Sequence, residues 1–161
     1  MSNVETLARA AKVVSREGFA AGHSGFFLVV YPPLGPRALA SVTRWETGPD
    51  RLAPATQPVD AFSIEKSERN PYVSRISLGR ADNCDLVLRY ASISKLHAHF
   101  RQGPRGRLEL IDVGSRNGTR VNDRPLAPHE PGALAAGDVI LFGTVPVRVV
   151  DAGELFDLLH T

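Results

Sequence analysis

The apolar positions of this chain change their period near residue 26. Before it, Val4, Leu7, Ala8, Ala11 and Val14 recur at three- and four-residue spacing, which puts them on one face of a helix over residues 2 to 17. Ser2 with Glu5 forms a candidate capping box, and Gly18 is a natural stop. No chemically suggestive residue sits on this helix, so it reads as a docked extension in preference to a partner-binding tail. From Phe26 onward the pattern shortens. Phe26 to Tyr31 is an aromatic and β-branched run ended by Pro32 and Pro33, and Ala38 to Trp45 is a second candidate strand.

Residues 46–58 hold three prolines and predict a loop or linker. Strand-like runs then recur at close intervals: Ala61 to Lys66, Tyr72 to Leu78, Asp85 to Leu88, His97 to Gln102 and Arg107 to Asp112, with Val139 to Phe142 and Val145 to Val150 after them. Turn-forming clusters separate them at 68–71, 103–106, 114–118 and 135–138. Many short strands with such punctuation predict an all-β sandwich or barrel. The tail from Glu154 to Leu159 can add a helical turn or two.

Composition narrows the function classes. A chain of 161 residues, 43% apolar and 22% charged, fits one globular domain with short extensions. No apolar run approaches the roughly 18 residues of a membrane span, and the acid-bearing N-terminus does not read as a secretory signal. A single cysteine, Cys84, excludes an intrachain disulfide and a cysteine-rich metal site, and it fits a reducing cytoplasm. The net charge is only +2, and the basic residues, 16 Arg against 3 Lys, are scattered. With no basic stripe and no recognition-helix motif, the sequence points away from nucleic acid.

Four motifs follow one another in the second half: Gly79-Arg80, Ser94-Lys95-Leu96-His97, Asn117-Gly118-Thr119 and Gly137-Asp138. Each falls at a strand end or in the loop after it, and a sandwich gathers such loops at its ends. Arg80 offers a planar fork of donors suited to a doubly charged phosphate. The Ser94 hydroxyl and the Lys95 N–H beside it can donate to the same oxygens. Asn117 carries donor and acceptor together, which suits the main chain of an extended peptide. These are binding chemistries, and no nucleophile, base and orienter stand together, so no catalytic residue is assigned.

The succession GR, SxxH, NGT and GD between short strands resembles the forkhead-associated (FHA) family over roughly residues 59 to 150. The resemblance implies a β-sandwich of about eleven strands that binds phosphothreonine peptides and prefers phosphothreonine to phosphoserine. It assigns phosphate binding to Arg80, the Ser94 hydroxyl and the Lys95 amide, and a grip on the peptide main chain to Asn117. Gly79, His97, Gly118 and Thr119 would shape the loops. Arg116 stands where many relatives have a small hydroxyl residue, so it either adds phosphate attraction or points into solvent. Residues 26–31, 38–45 and 61–66 all remain candidates for the first strand.

Plainer roles compete at single positions. Arg80 alone would be a surface ion-pair residue, and Ser94 alone a turn cap. His97 reads as a buried structural histidine; with His99 it lacks a third ligand, so no metal site is assigned. Cys84 reads as a packed thiol and Gly137-Asp138 as a tight turn. The expected organisation is a helical extension over 1–22, a sandwich over 23–151 and a tail over 152–161. The expected function is a non-enzymatic, cofactor-free adaptor whose partner is a threonine-phosphorylated protein or a Ser/Thr kinase. A phosphate-independent scaffold or dimerisation module on the same fold is the alternative.

Overall fold

The computed structural model describes residues 15–22, 25–35, 59–72 and 74–160. In chain order the elements are helix α1 (Arg16–Gly22), strands β1 (Phe26–Val30), β2 (Asp60–Ser63), β3 (Ile76–Gly79), β4 (Leu86–Val87), β5 (Ala98–Gln102), β6 (Leu108–Asp112), β7 (Thr119–Val121), β8 (Arg124–Pro125), β9 (Gly132–Leu134), β10 (Val139–Phe142) and β11 (Val145–Asp151), and helix α2 (Ala152–Leu159). One sheet has the order β2-β1-β11-β10-β7-β8, the other β4-β3-β5-β6-β9. The described pairings are antiparallel apart from β3 with β4. The all-β sandwich is therefore the observed fold.

Alternation builds the core between the sheets. Leu28 and Val30 of β1, Val145, Val147 and Val149 of β11, Leu78 of β3, Ala98 and Phe100 of β5, and Leu110 of β6 are all sealed in it. Their neighbours in sequence point the other way, as period-two geometry requires. On β1 those neighbours are also buried. Phe27, Val29 and Tyr31 form a second cluster with Phe19 of α1 and Leu155 of α2. A strand covered on both faces reads as an unbroken apolar run, which is the FFLVVY pattern. Phe19 and Leu155 are each about 1% exposed, enough burial for about 1.5–3 kcal/mol apiece.

Both helices thus belong to the packed body. Asp151 caps α2 by accepting from the Glu154 N–H at 2.8 Å, and the Glu154 carboxylate accepts from the Asp151 N–H, closing a capping box. Arg16 of α1 donates to Asp157 of α2 at 3.0 Å across their exposed edge. Gly18 lies inside α1 and does not end it, because burying Phe19 outweighs the glycine's preference for helix ends. The remainder of the anticipated first helix, the Ala38 to Trp45 strand and the 46–58 loop lie outside the described residues.

The anticipated strands have shorter counterparts, and Phe26–Val30 is the first strand described. The run from Tyr72 to Leu78 becomes strand only at Ile76. Arg75 N–H turns back to the Tyr72 carbonyl at 3.3 Å, and the Asn70 side-chain amide donates to the Arg75 carbonyl at 2.9 Å. Strands β7, β8 and β9 are additions. They hold two or three residues each, too few to show a period.

Candidate functional site

Three loops meet around residues 92–95. The first leaves β3 at Gly79-Arg80, the second precedes β5, and the third joins β6 to β7. They are stitched together mainly by main-chain groups. Arg80 N–H donates to the Ser94 carbonyl at 2.9 Å and Ala81 N–H to the Lys95 carbonyl at 3.0 Å. A Cβ on Gly79 would stand 2.2 Å from that Lys95 carbonyl oxygen, so glycine is what lets β3 approach it. Cys84 is buried and its thiol donates to the same oxygen at 3.4 Å. Burial pushes the thiol pKa up, which suits a packed thiol.

His97 holds the second and third loops from below. It is fully buried, and its Nδ1 accepts from the Ser94 N–H at 3.1 Å. Its Nε2 faces the Gly118 carbonyl at 3.1 Å and the Thr119 hydroxyl at 3.2 Å. Nδ1 must be bare to accept, and Nε2 must carry hydrogen to meet a carbonyl, so the geometry selects the neutral Nε2–H tautomer. Burial lowers the His97 pKa against the opposing pulls of the Gly118 carbonyl and Asp112. With both nitrogens engaged, the ring is closed to metal. Among the described residues no cluster of three metal-ligating side chains occurs.

Asp112, which sequence reasoning passed over, fixes the third loop. One oxygen accepts from the N–H groups of Gly114 and Ser115 at 2.7 and 2.8 Å. The other accepts from the hydroxyls of Ser115 and Thr119 at 2.5 and 2.6 Å. Burial alone would raise its pKa, but these four bonds outweigh it and hold the carboxyl below its usual range. The D-x-G-S run at 112–115 was a legible signal, since Asp accepting from main-chain N–H groups two and three residues on is a standard turn device. Ser115 then accepts from the Gly118 N–H at 3.1 Å. Gly118 has a φ of +81°, which asparagine or glycine tolerates best.

On this frame sit the residues the sequence singled out. The Arg80 guanidinium donates through Nε to the Ile93 carbonyl at 3.0 Å. Its two terminal NH2 groups have no partner among the described residues. The Ser94 hydroxyl accepts from the Arg116 N–H at 3.0 Å, which leaves its own hydrogen available. Asn117 spends one amide hydrogen on the Ser92 carbonyl at 2.8 Å, keeping the second hydrogen and Oδ1. Lys95 is exposed and its N–H makes no bond among the described residues. Arg116 is exposed, and its main chain supports Ser94. Arg80, Ser94, Lys95, Arg116 and Asn117 therefore share one loop cluster.

Two supports went unread in the sequence. Ser92 Oγ lies 2.7 Å from the Thr144 hydroxyl and accepts from the Thr144 N–H at 3.2 Å, tying the second loop to the β10–β11 turn. At that turn a Cβ on Gly143 would come within 2.5 Å of the Ser92 carbonyl oxygen. Gly137-Asp138 is a turn, as expected. Gly137 has a φ of +95°, and the Asp138 carboxylate accepts from Ala135 N–H and the Asn122 amide, both at 2.8 Å.

Known proteins share this fold and part of this sequence. The family model described as "FHA domain" matches residues 76–143, which include all four motifs from Gly79-Arg80 to Gly137-Asp138. The glycogen accumulation regulator GarA of Mycolicibacterium smegmatis is 40% identical over 68 residues, covering 42% of this chain and 40% of that protein. The oxoglutarate dehydrogenase inhibitor of Corynebacterium diphtheriae is 38% identical over 65 residues, covering 40% of this chain and 43% of that one. Protein phosphatase 2C 70 of Arabidopsis thaliana is 29% identical over 133 residues, 75% of this chain and 22% of the relative. The chain thus spans less than half the length of these relatives. Among solved structures, an engineered FHA with a Myc-pTBD peptide superposes with a TM-score of 0.52 at 20% identity, over 84% of this chain and 98% of that one. The FHA domain of CT664 from Chlamydia trachomatis gives 0.50 at 23% identity, over 78% and 96%. Residues 76–143 match the FHA-domain model, and the two solved FHA domains share the fold of this chain.

Proposed function

We propose that this chain is a phosphothreonine-peptide binding module whose phosphate contacts are the Arg80 guanidinium, the Ser94 hydroxyl and the Lys95 N–H. The observation that carries the reading is a set of uncommitted donors on a committed frame. Arg80, Ser94 and Lys95 are joined by main-chain and side-chain bonds, yet each retains a donor with no partner among the described residues. A phosphate dianion presents acceptors that such donors fit. Asn117, beside Ser92, holds the main chain of the bound peptide through Oδ1 and its second amide hydrogen. Arg116 adds positive charge at the rim.

FHA domains are binding modules, and the module here works without catalysis or cofactor. Residues 23–151 form the reader, with 1–22 and 152–161 as its extensions. The partner is a threonine-phosphorylated protein or the Ser/Thr kinase that modifies it, met in the cytoplasm. A phosphopeptide array with phosphothreonine, phosphoserine and unphosphorylated versions of each sequence tests the proposal. Binding confined to phosphothreonine, and abolished by Arg80→Ala, is expected. Equal binding of phosphorylated and unphosphorylated peptides would replace the phosphate reader with a scaffold.

A further inference from the structure

The second sheet carries a groove on the face turned away from the core, and the phosphate-reading residues take no part in it. In the register of this sheet His99 lies between Ser77 of β3 and Ile111 of β6, while the flanking Ala98 and Phe100 enter the core. Two cavities, about 610 and 220 Å³, overlap along this face. They share Arg75, Leu96, His99 and Val113.

One wall of the groove is held in place by buried polar chemistry. Asp85 is 1% exposed, and its carboxylate accepts from Ser67 N–H at 2.6 Å, Ser77 N–H at 2.7 Å and the Asn70 amide at 2.8 Å. The same Asn70 accepts from Tyr72 N–H at 3.1 Å and donates to the Arg75 carbonyl. Tyr72 and Arg75 are therefore fixed at the rim, with the guanidinium 5.5 Å from the ring centre. Tyr72 is nevertheless 63% exposed, and Leu96 on the opposite side is 50% exposed. Among the described residues only Val59 joins them as an exposed large hydrophobic. Two of the three thus flank one groove, and on the Tyr72 side hydrogen bonds through Asn70 lead back to the buried Asp85 carboxylate.

The charge of the lining selects the occupant. Arg75, Arg101, His99 and His129 contribute cationic or titratable groups, and no carboxylate lines either cavity. Arg101 donates to Glu109 at 3.1 Å through Nε, but its side chain stays 44% exposed. The smaller cavity, lined by Tyr72, Leu96 and His99, is of a size for one large side chain. We propose that this groove docks an unphosphorylated acidic peptide segment of a protein partner, with one aliphatic or aromatic side chain seated between Tyr72 and Leu96 and its carboxylates toward Arg75 and Arg101. Covering Tyr72 and Leu96 supplies the apolar gain, and the two arginines orient the segment. The groove would act alongside Arg80 and without it.

The test titrates the full chain with unphosphorylated twelve-residue probes that flank a central Leu or Phe with Asp and Glu, following backbone amide shifts by NMR. Saturable shifts at Tyr72, Arg75, Leu96 and His99, with none at Arg80 or Asn117, are expected. L96D and R75E should each weaken the probe at least tenfold, and a probe with Lys in place of its acids should fail to bind. Both positions are exposed, and unchanged melting temperatures would certify the variants. R80A should bind the acidic probe like the parent, which separates failure here from failure of the phosphate reading. The proposal is overturned by absent or non-saturable binding, by shifts confined to the Arg80 and Asn117 loops, or by indifference to both substitutions. Preference of the groove for an oligonucleotide, or a chain dimer that L96D dissolves, would overturn it equally.

Discussion

Two polar clusters treat their side chains in opposite ways. In one, Asp85 gathers Lys66, Ser67, Asn70 and Ser77, and its two oxygens accept at least five hydrogen bonds. In the other, Arg80, Ser94 and Asn117 each make one side-chain bond within the protein and keep further donors. Buried polar groups must be satisfied, so saturation around Asp85 marks architecture. Unpaired donors held on a hydrogen-bonded main-chain frame are what the proposed phosphate contact would use. The two regions make the same kinds of bonds, and what separates them is what remains unspent.

That contrast predicts a large stability effect on one side only. Asp85→Ala would leave the buried Ser77 N–H and one hydrogen of the Asn70 amide unpaired, at about 1–3 kcal/mol each, or roughly 2–6 kcal/mol together. Denaturant unfolding should read this loss. A cost under 1 kcal/mol would mean that the hub is incidental. Acid should reach the same interaction. The Asp85 carboxyl is pulled down to about 2 by its hydrogen bonds, against the penalty of burial. Its folded pKa lies below the unfolded value near 3.9, so its contribution is complete above about pH 4 and is lost as pH falls toward 2. About 2 kcal/mol of stability should disappear over that window, and Asp85→Asn should flatten it.

On the binding side, Arg80→Ala should leave the melting temperature unchanged within error while costing about 2–5 kcal/mol of phosphopeptide affinity. That corresponds to a loss of roughly thirtyfold to several thousandfold. In the proposed complex Ser94→Ala removes one hydrogen bond to a charged group, about 1.5–3 kcal/mol. It also removes the acceptor for the Arg116 N–H, so a small destabilisation should accompany it. Calorimetric titration with melting curves alongside separates the two. Were Ser94→Ala to cost stability but no affinity, its role would be that of a turn cap.

The smallest expected effect belongs to His97. Its folded pKa lies below the unfolded value of about 6.5, so the unfolded chain binds the proton more readily. Stability is then complete above that value and erodes as pH falls below it, by no more than about 1.4 kcal/mol per pH unit. Protonation would put a hydrogen on Nδ1 facing the Ser94 N–H, so the loop bearing Ser94 should loosen first. Ring-carbon NMR titration checks this, and an ordinary midpoint near 6.5 would contradict it. Phosphothreonine gains its second proton near pH 6, so affinity should also weaken there. Phosphorus NMR of the bound peptide isolates that ligand step from the His97 step.

Much of this was legible in the sequence because turn chemistry and chemically distinctive residues are local signals. Asn117-Gly118, Gly79-Arg80 and Ser94 to His97 announced themselves by residue type and order, and the fold brings them together. The helix at the tail was legible as a tendency, and the Asp151–Glu154 capping box explains its start. Asp85 and Asp112 were not read, although both organise loops. A carboxylate's role as a hub depends on which N–H groups reach it, and for Asp85 these come from residues 67, 70 and 77. Strands of two or three residues such as β8 and β9 show no period to read. Gly18 misled because a glycine's local preference yields to the burial of its neighbour Phe19.

The measurement closest to the central claim is a thermodynamic cycle between Arg80 and the peptide's phosphate. Parent protein and Arg80→Ala are each titrated with one peptide in phosphothreonine and threonine forms. If Arg80 binds the phosphate, the substitution should cost about 2–5 kcal/mol against the phosphorylated peptide and almost nothing against the other. Asn117→Ala should weaken both if Asn117 grips the peptide main chain as proposed. Equal losses on the two peptides from Arg80→Ala, or no loss on either, would contradict the account.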